Sequence, residues 1–208
     1  MEETKDHSQR RPYHHGDLRE ALTEALRALI ERDGPDGFRI AEACRMAGVS
    51  TAAPYKHFKD RGAMLRAVAL GGMQRLGAAM QEAASAHPAG DPRRIVDLGR
   101  CYVSFARAEP GVFRLMFGLA DHHDDDPALI AAGEAAEGLV EQVVADHLRE
   151  APDSEGVKLR AHALWCFVHG LSFLSLDGKT EALDVGTEDR MLRLVGDAML
   201  PPRSHGEA

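Results

Sequence analysis

The chain has 208 residues, 44% hydrophobic and 28% charged, which allows a sizeable core in an ordinary soluble protein. No run approaches the ~20 apolar residues of a membrane span, the polar start MEETKDHSQRR lacks an apolar signal core, and three cysteines without C-x-x-C spacing exclude a disulfide or zinc framework. The net charge of −8 argues at first against nucleic acid, yet residues 1–62 hold eleven Lys or Arg and eleven Asp or Glu, so the whole deficit lies beyond them.

Almost every segment reads as helix, and no alternating strand pattern or hairpin dipeptide is seen. Residues 1–15 form a polar arm in which Arg10, Arg11, His14 and His15 supply positive character. Asp17 caps a first helix, with Glu20 three residues on as in a capping box. Leu18, Leu22, Leu26, Leu29 and Ile30 are its apolar stripe, and Gly34-Pro35 stops it.

Phe38 to Phe58, FRIAEACRMAGVSTAAPYKHF, is the most informative stretch. Ile40, Ala43, Cys44 and Ala47 recur at i, i+3, i+4 and i+7, one apolar helix face. Ala47-Gly48-Val49 then makes a corner in which Gly48 can take positive φ, and Ser50 caps a short second helix closed by Tyr55 and Phe58. A helix-turn-helix places its second helix in the DNA major groove.

Asp60 caps a further, long helix from near Arg61, apolar at Met64, Leu65, Val68, Leu76 and Met80 and ended by His87-Pro88. Asp91-Pro92 opens another through Ala108, and a short one runs from Val112 to Leu119. An acidic loop, Asp121 to Pro127, leads into a helix to about Glu150, then Glu155 to Leu176, and finally Thr187 to Leu200 before Pro201-Pro202. The last residues, 203–208, read as a disordered tail.

These residues resemble TetR/AcrR-type transcriptional regulators. The resemblance rests on YHHGDLREAL from Tyr13, on AGVS at Ala47 to Ser50, and on the Tyr-x-His-Phe end at Tyr55 to Phe58. A Trp-x-x-x-His-Gly motif at Trp165, His169 and Gly170, with PGVFRLMFG from Pro110 to Gly118, resembles one subgroup.

The resemblance implies an all-α fold with a three-helix DNA-binding domain at 16–62. A C-terminal effector-binding and dimerisation domain would occupy 63–202, with the helices near 127–150 and 155–177 pairing across a homodimer. Such proteins usually repress by occupying an operator and release it when a small molecule binds.

On that reading Thr51, Ala52 and Lys56 face bases, Ala53 adds a methyl contact, and Arg39, Tyr55, His57 and Lys59 hold phosphates beside the Ser50 cap. Arg39 stands where many relatives have Ser or Thr, so the usual hydroxyl cap is missing there. Pro54 is expected against the core. Met73, Met80, Cys101, Phe105, Phe113, Met116, Phe117, Trp165 and His169 are read as core residues that could also line an effector pocket.

No cofactor or metal is expected. His122, His123, Asp124, Asp125 and Asp126 are the most metal-like cluster, but neighbours in one loop do not converge on an ion without partners from elsewhere. Two rival readings stay open: a metal-dependent helical enzyme using that loop, and a dimeric interaction module without operator recognition.

Overall fold

The computed structural model describes residues 15–118, 126–181 and 184–201. The arm residues Arg10, Arg11 and His14, the loop residues His122 to Asp125, and the tail 203–208 lie outside the described residues, as do the side chains of His15 and Asp17. Among the described residues there are eight α-helices and no strand.

Helix α1 (His15–Gly37) buries Leu22, Leu26, Leu29 and Ile30 along one face. Its run is interrupted where Gly34 takes φ 78° and ψ 169°, so the Gly34-Pro35 stop is real and Pro35 opens one further turn. Helix α2 (Ile40–Met46) buries Ala43 and Cys44. Arg39 precedes it in extended conformation without a side-chain cap, as the missing hydroxyl at that position implies.

The expected helix after the corner is a correction. Residues 51–53 form turns, and Pro54–Lys56 is a single 3-10 turn. Pro54 has no N–H to donate to the Ser50 carbonyl, which instead accepts from the Ala53 amide at 3.0 Å. Bonds from Lys56 to Ala53 (3.1 Å) and from Phe58 to Pro54 (2.8 Å) complete the tight coil. Ser50 therefore stabilises the turn through its backbone.

Helix α3 (Arg61–Ser85) starts where the Asp60 carboxylate accepts from the Ala63 amide at 2.7 Å. Roughly 37 Å long at 1.5 Å per residue, it leads from the helix-turn-helix into the C-terminal bundle. There α4 (Arg93–Ala108) packs among α5 (Pro110–Gly118), α6 (Pro127–Leu148), α7 (Glu155–Leu176) and α8 (Val185–Met199). Asp126, Ser154 and Asp184 cap the last three through their side chains. Buried His147 joins Gly90 O (3.2 Å) to Pro201 O (3.1 Å), tying α6 to the loop before α4 and to the chain after α8.

Candidate functional site

The N-terminal end presents Arg39, Lys56 and Lys59 as exposed cations around one corner. Gly48 adopts φ 67°, the left-handed corner that a side chain would strain. The Val49 amide bonds back to Cys44 O at 2.9 Å. Beneath the corner Phe38 and Phe58 are buried, with Arg61 over the Phe38 ring at 3.9 Å and Arg19 over Phe58 at 5.2 Å. Arg61 also donates to Pro35 O at 2.8 Å, fastening the start of α3 to the link between α1 and α2. On this seat Arg39, Ser50, Thr51, Ala52, Tyr55, Lys56 and Lys59 are exposed, Ala53 and His57 are half-buried, and Pro54 is buried. Sequence reasoning passed over Arg45, exposed on the same unit and 3.5 Å from Glu42.

A second feature lies in the bundle. A cavity of about 330 Å³ is enclosed by α3 to α8. Its walls include Met73, Leu76 and Met80 from α3, Leu98 and Tyr102 from α4, and Phe117 from α5. Glu137 and Val140 come from α6, His162, Trp165 and Phe167 from α7, and Leu192 from α8. Glu137, His162 and Trp165 are the exposed members, so they mark the mouth between α6 and α7.

One polar pair sits in an aromatic shell at its inner wall. Tyr102 Oη and His169 Nδ1 share a 2.9 Å hydrogen bond. The phenol is the better donor, so it gives its proton to the imidazole. The His169 ring meets Phe117 (4.7 Å between centroids), Trp165 and Phe173 (4.9 Å each) and Phe113 (5.9 Å). Burial holds the His169 pKa below the usual imidazole range and pushes the Tyr102 phenol above its own, with Trp165 opposing the latter. Both groups are therefore neutral near pH 7.

The two features are joined through α5. At its far end Phe117 lines the cavity; at its start the Gly111 and Val112 amides donate to the Glu31 carboxylate of α1, at 2.9 and 2.8 Å. Glu109, just before α5, pairs with Arg75 of α3 at 2.5 Å and lies 3.9 Å from Arg27 of α1.

The family model described as "Tetracyclin repressor-like, C-terminal domain" matches residues 95–199. The chain belongs to the tetracyclin-repressor-like family. A protein of unknown function from Rhodococcus sp. RHA1 shares 31% identity, with TM-score 0.77 over 92% of this chain and 97% of that one. At 17% identity the TetR-family regulator PfmR from Thermus thermophilus superposes with TM-score 0.62 over 88% and 99%. The regulator FadR from Bacillus subtilis, in complex with stearoyl-CoA, does so at 11% identity with TM-score 0.67 over 88% and 97%. These last two likenesses concern the fold alone. No curated protein matches the chain in sequence.

Within this TetR-like fold, four of the nine residues expected at a pocket line the cavity: Met73, Met80, Phe117 and Trp165. The other five, Cys101, Phe105, Phe113, Met116 and His169, are absent from the lining. Cys101 precedes Tyr102 by one residue, which turns it by about 100° around α4, and Phe105 follows it on that face. Fully buried Phe113 stacks behind Phe117 at 4.9 Å. Met116 lies against Gly72 of α3. His169 stands behind Tyr102, Phe117 and Trp165, reaching the cavity through them.

Of the metal-like cluster only Asp126 is described. Its carboxylate accepts from the Ala128 amide at 3.0 Å and lies 3.7 Å from Arg66. Among the described residues no group of three or more His, Cys, Asp or Glu could hold a metal, and no helix is long and apolar enough to cross a membrane.

Proposed function

We propose that the protein is a homodimeric transcriptional repressor that occupies a near-palindromic operator and leaves it when a small apolar molecule fills the bundle cavity. The observation that carries this reading is the continuity of α3 and α5. Each has residues in the cavity wall and a fastening on the DNA-binding unit, Arg61 on the link after α1 in one case and the amides on Glu31 in the other. An effector acts by binding the operator-incompetent arrangement more tightly than the competent one.

The DNA-binding domain is 16–62 and the effector and dimerisation domain 63–202. Thr51, Ala52, Ala53 and Lys56 read bases, while Arg39, Tyr55, His57 and Lys59 hold phosphates, with Arg45 as a further cation. Trp165, His169 and Gly170 support membership of the Trp-x-x-x-His-Gly subgroup as part of this reading. A cytoplasmic location and the absence of catalysis accompany this reading.

The dimer surface is drawn on α7 and α8. Leu159 and Leu174 are 69% and 50% exposed on α7, with Cys166 and Gly170 exposed between them on the same face, and Leu194 is 71% exposed on α8. Small residues flanked by leucines suit close helix pairing. Helix α6, the partner expected from sequence, instead carries Glu134, Glu137 and Glu141 along one side. Stearoyl-CoA is not adopted as the effector, because among the described residues the lining has no Lys or Arg to meet nucleotide phosphates.

A gel shift on DNA flanking the protein's own gene tests the reading. At moderate salt it gives a complex of two protomers that resists bulk competitor; equal loss to any competitor rejects operator recognition.

A further inference from the structure

The chemistry of the cavity mouth restricts what can enter. Among the described residues the formally charged member of the lining is the Glu137 carboxylate, with no Lys or Arg beside it. The bias extends beyond one residue: Glu134 and Glu141 lie one turn to either side on α6, and α6 has no Lys or Arg along its length. Trp165, 39% exposed, is another lining residue at the mouth, with the His162 ring 5.4 Å away. Deeper in, the Tyr102 hydroxyl is already engaged by His169 at 2.9 Å and by the Trp165 indole. Burial holds the His169 pKa below the usual imidazole range, so this ring offers an anionic head little positive charge.

We propose that this cavity selects amphiphiles with a compact apolar body and a cationic head, a protonated or quaternary amine, and discriminates against carboxylates and phosphates. The apolar body lies against Met73, Leu98 and Phe117, while the head rests at the mouth against Glu137 and the face of Trp165. A carboxylate and an aromatic face are the two groups that attract an ammonium most directly. At about 330 Å³ the cavity is at the small end of ligand sites and fits a short chain or one or two rings. This assignment rests on the effector-site reading above and adds the charge of the guest.

Three probes that share one eight-carbon chain separate the possibilities: octyltrimethylammonium, 1-octanol and octanoate. Each is titrated against the full-length protein, read by the fluorescence of its one tryptophan and by melting temperature. The expected order is octyltrimethylammonium tightest and octanoate weakest, separated by about tenfold or more. Glu137→Gln, an exposed and conservative change, should weaken the ammonium by about fivefold, the factor of an exposed ion pair, and affect octanol little. Octanoate binding as well as the ammonium, or an ammonium affinity indifferent to Glu137→Gln, overturns the charge preference. Should octanol bind while the ammonium does not, the effector site stands and the charge preference alone falls. If no probe registers with protein that binds its operator, the effector-site reading falls and the preference with it.

Discussion

The Glu31 carboxylate accepts the amide of Gly111 at 2.9 Å, so a side chain of α1 caps the N-terminus of α5. The two helices approach so closely that a Cβ on Gly111 would lie 2.4 Å from Ile30 O. A helix start leaves amides without internal partners, and here α1 supplies the acceptor from eighty residues away in sequence.

Glu31→Ala is expected to destabilise the protein by about 1–3 kcal/mol, the cost of leaving two partly buried donors without their acceptor. Gly111→Ala should cost about 1–3 kcal/mol by overpacking against backbone that cannot yield. Urea unfolding of both variants checks these values. A wild-type midpoint for either would mean that the α1–α5 clasp contributes nothing to the fold.

At the DNA-facing end, Lys56→Ala should weaken operator binding by about 1–3 kcal/mol and relax base preference. Lys59→Ala should weaken binding to all sequences and lower the salt slope by about one. Fluorescence anisotropy across a salt series distinguishes them. Identical losses with identical slopes would contradict the assignment of one lysine to bases and the other to phosphate.

Much of this unit is legible from the chain because its signals are local. Gly48, the Gly34-Pro35 stop and the Asp60 cap each act within four residues. The 3-10 turn at Pro54–Lys56 departs from the helix expected there, although its cause, a proline without a donor, stands in the sequence. The cavity is only partly legible. Met73, Met80, Phe117 and Trp165 carry an apolar or aromatic signal, but Glu137 and His162 line it through the packing of α6 on α7. Apolarity cannot tell Phe117 from Phe113, which share a face of α5 and differ only in depth. The Glu31 cap has no local signature at all.

His169 gives the stability curve a direction. Burial holds its folded pKa below the ordinary value, so as pH falls through about 6.5 the unfolded chain takes a proton that the native site refuses. The contribution is fully present above the unfolded pKa and is lost as pH falls toward the folded one. His169→Gln should therefore show a smaller drop in melting temperature than wild type between pH 8 and pH 5.5. Parallel curves would place His169 in water.

The dimer surface predicts that Leu159→Glu combined with Leu194→Glu halves the mass measured by light scattering and leaves helical circular dichroism unchanged. Exposed in one chain, each leucine contributes about 1.5–3 kcal/mol if fully buried in the pair. A wild-type monomer, or a double variant that remains dimeric, would remove α7 and α8 from the interface.

The most direct test is a selection of genomic fragments by the purified full-length protein at moderate salt, followed by footprinting of the fragments retained. The account predicts that these share an inverted repeat with half-sites ~34 Å apart on one face of the duplex, protected by two protomers. Retention of fragments in proportion to their abundance, with no shared repeat and no discrete footprint, would contradict it.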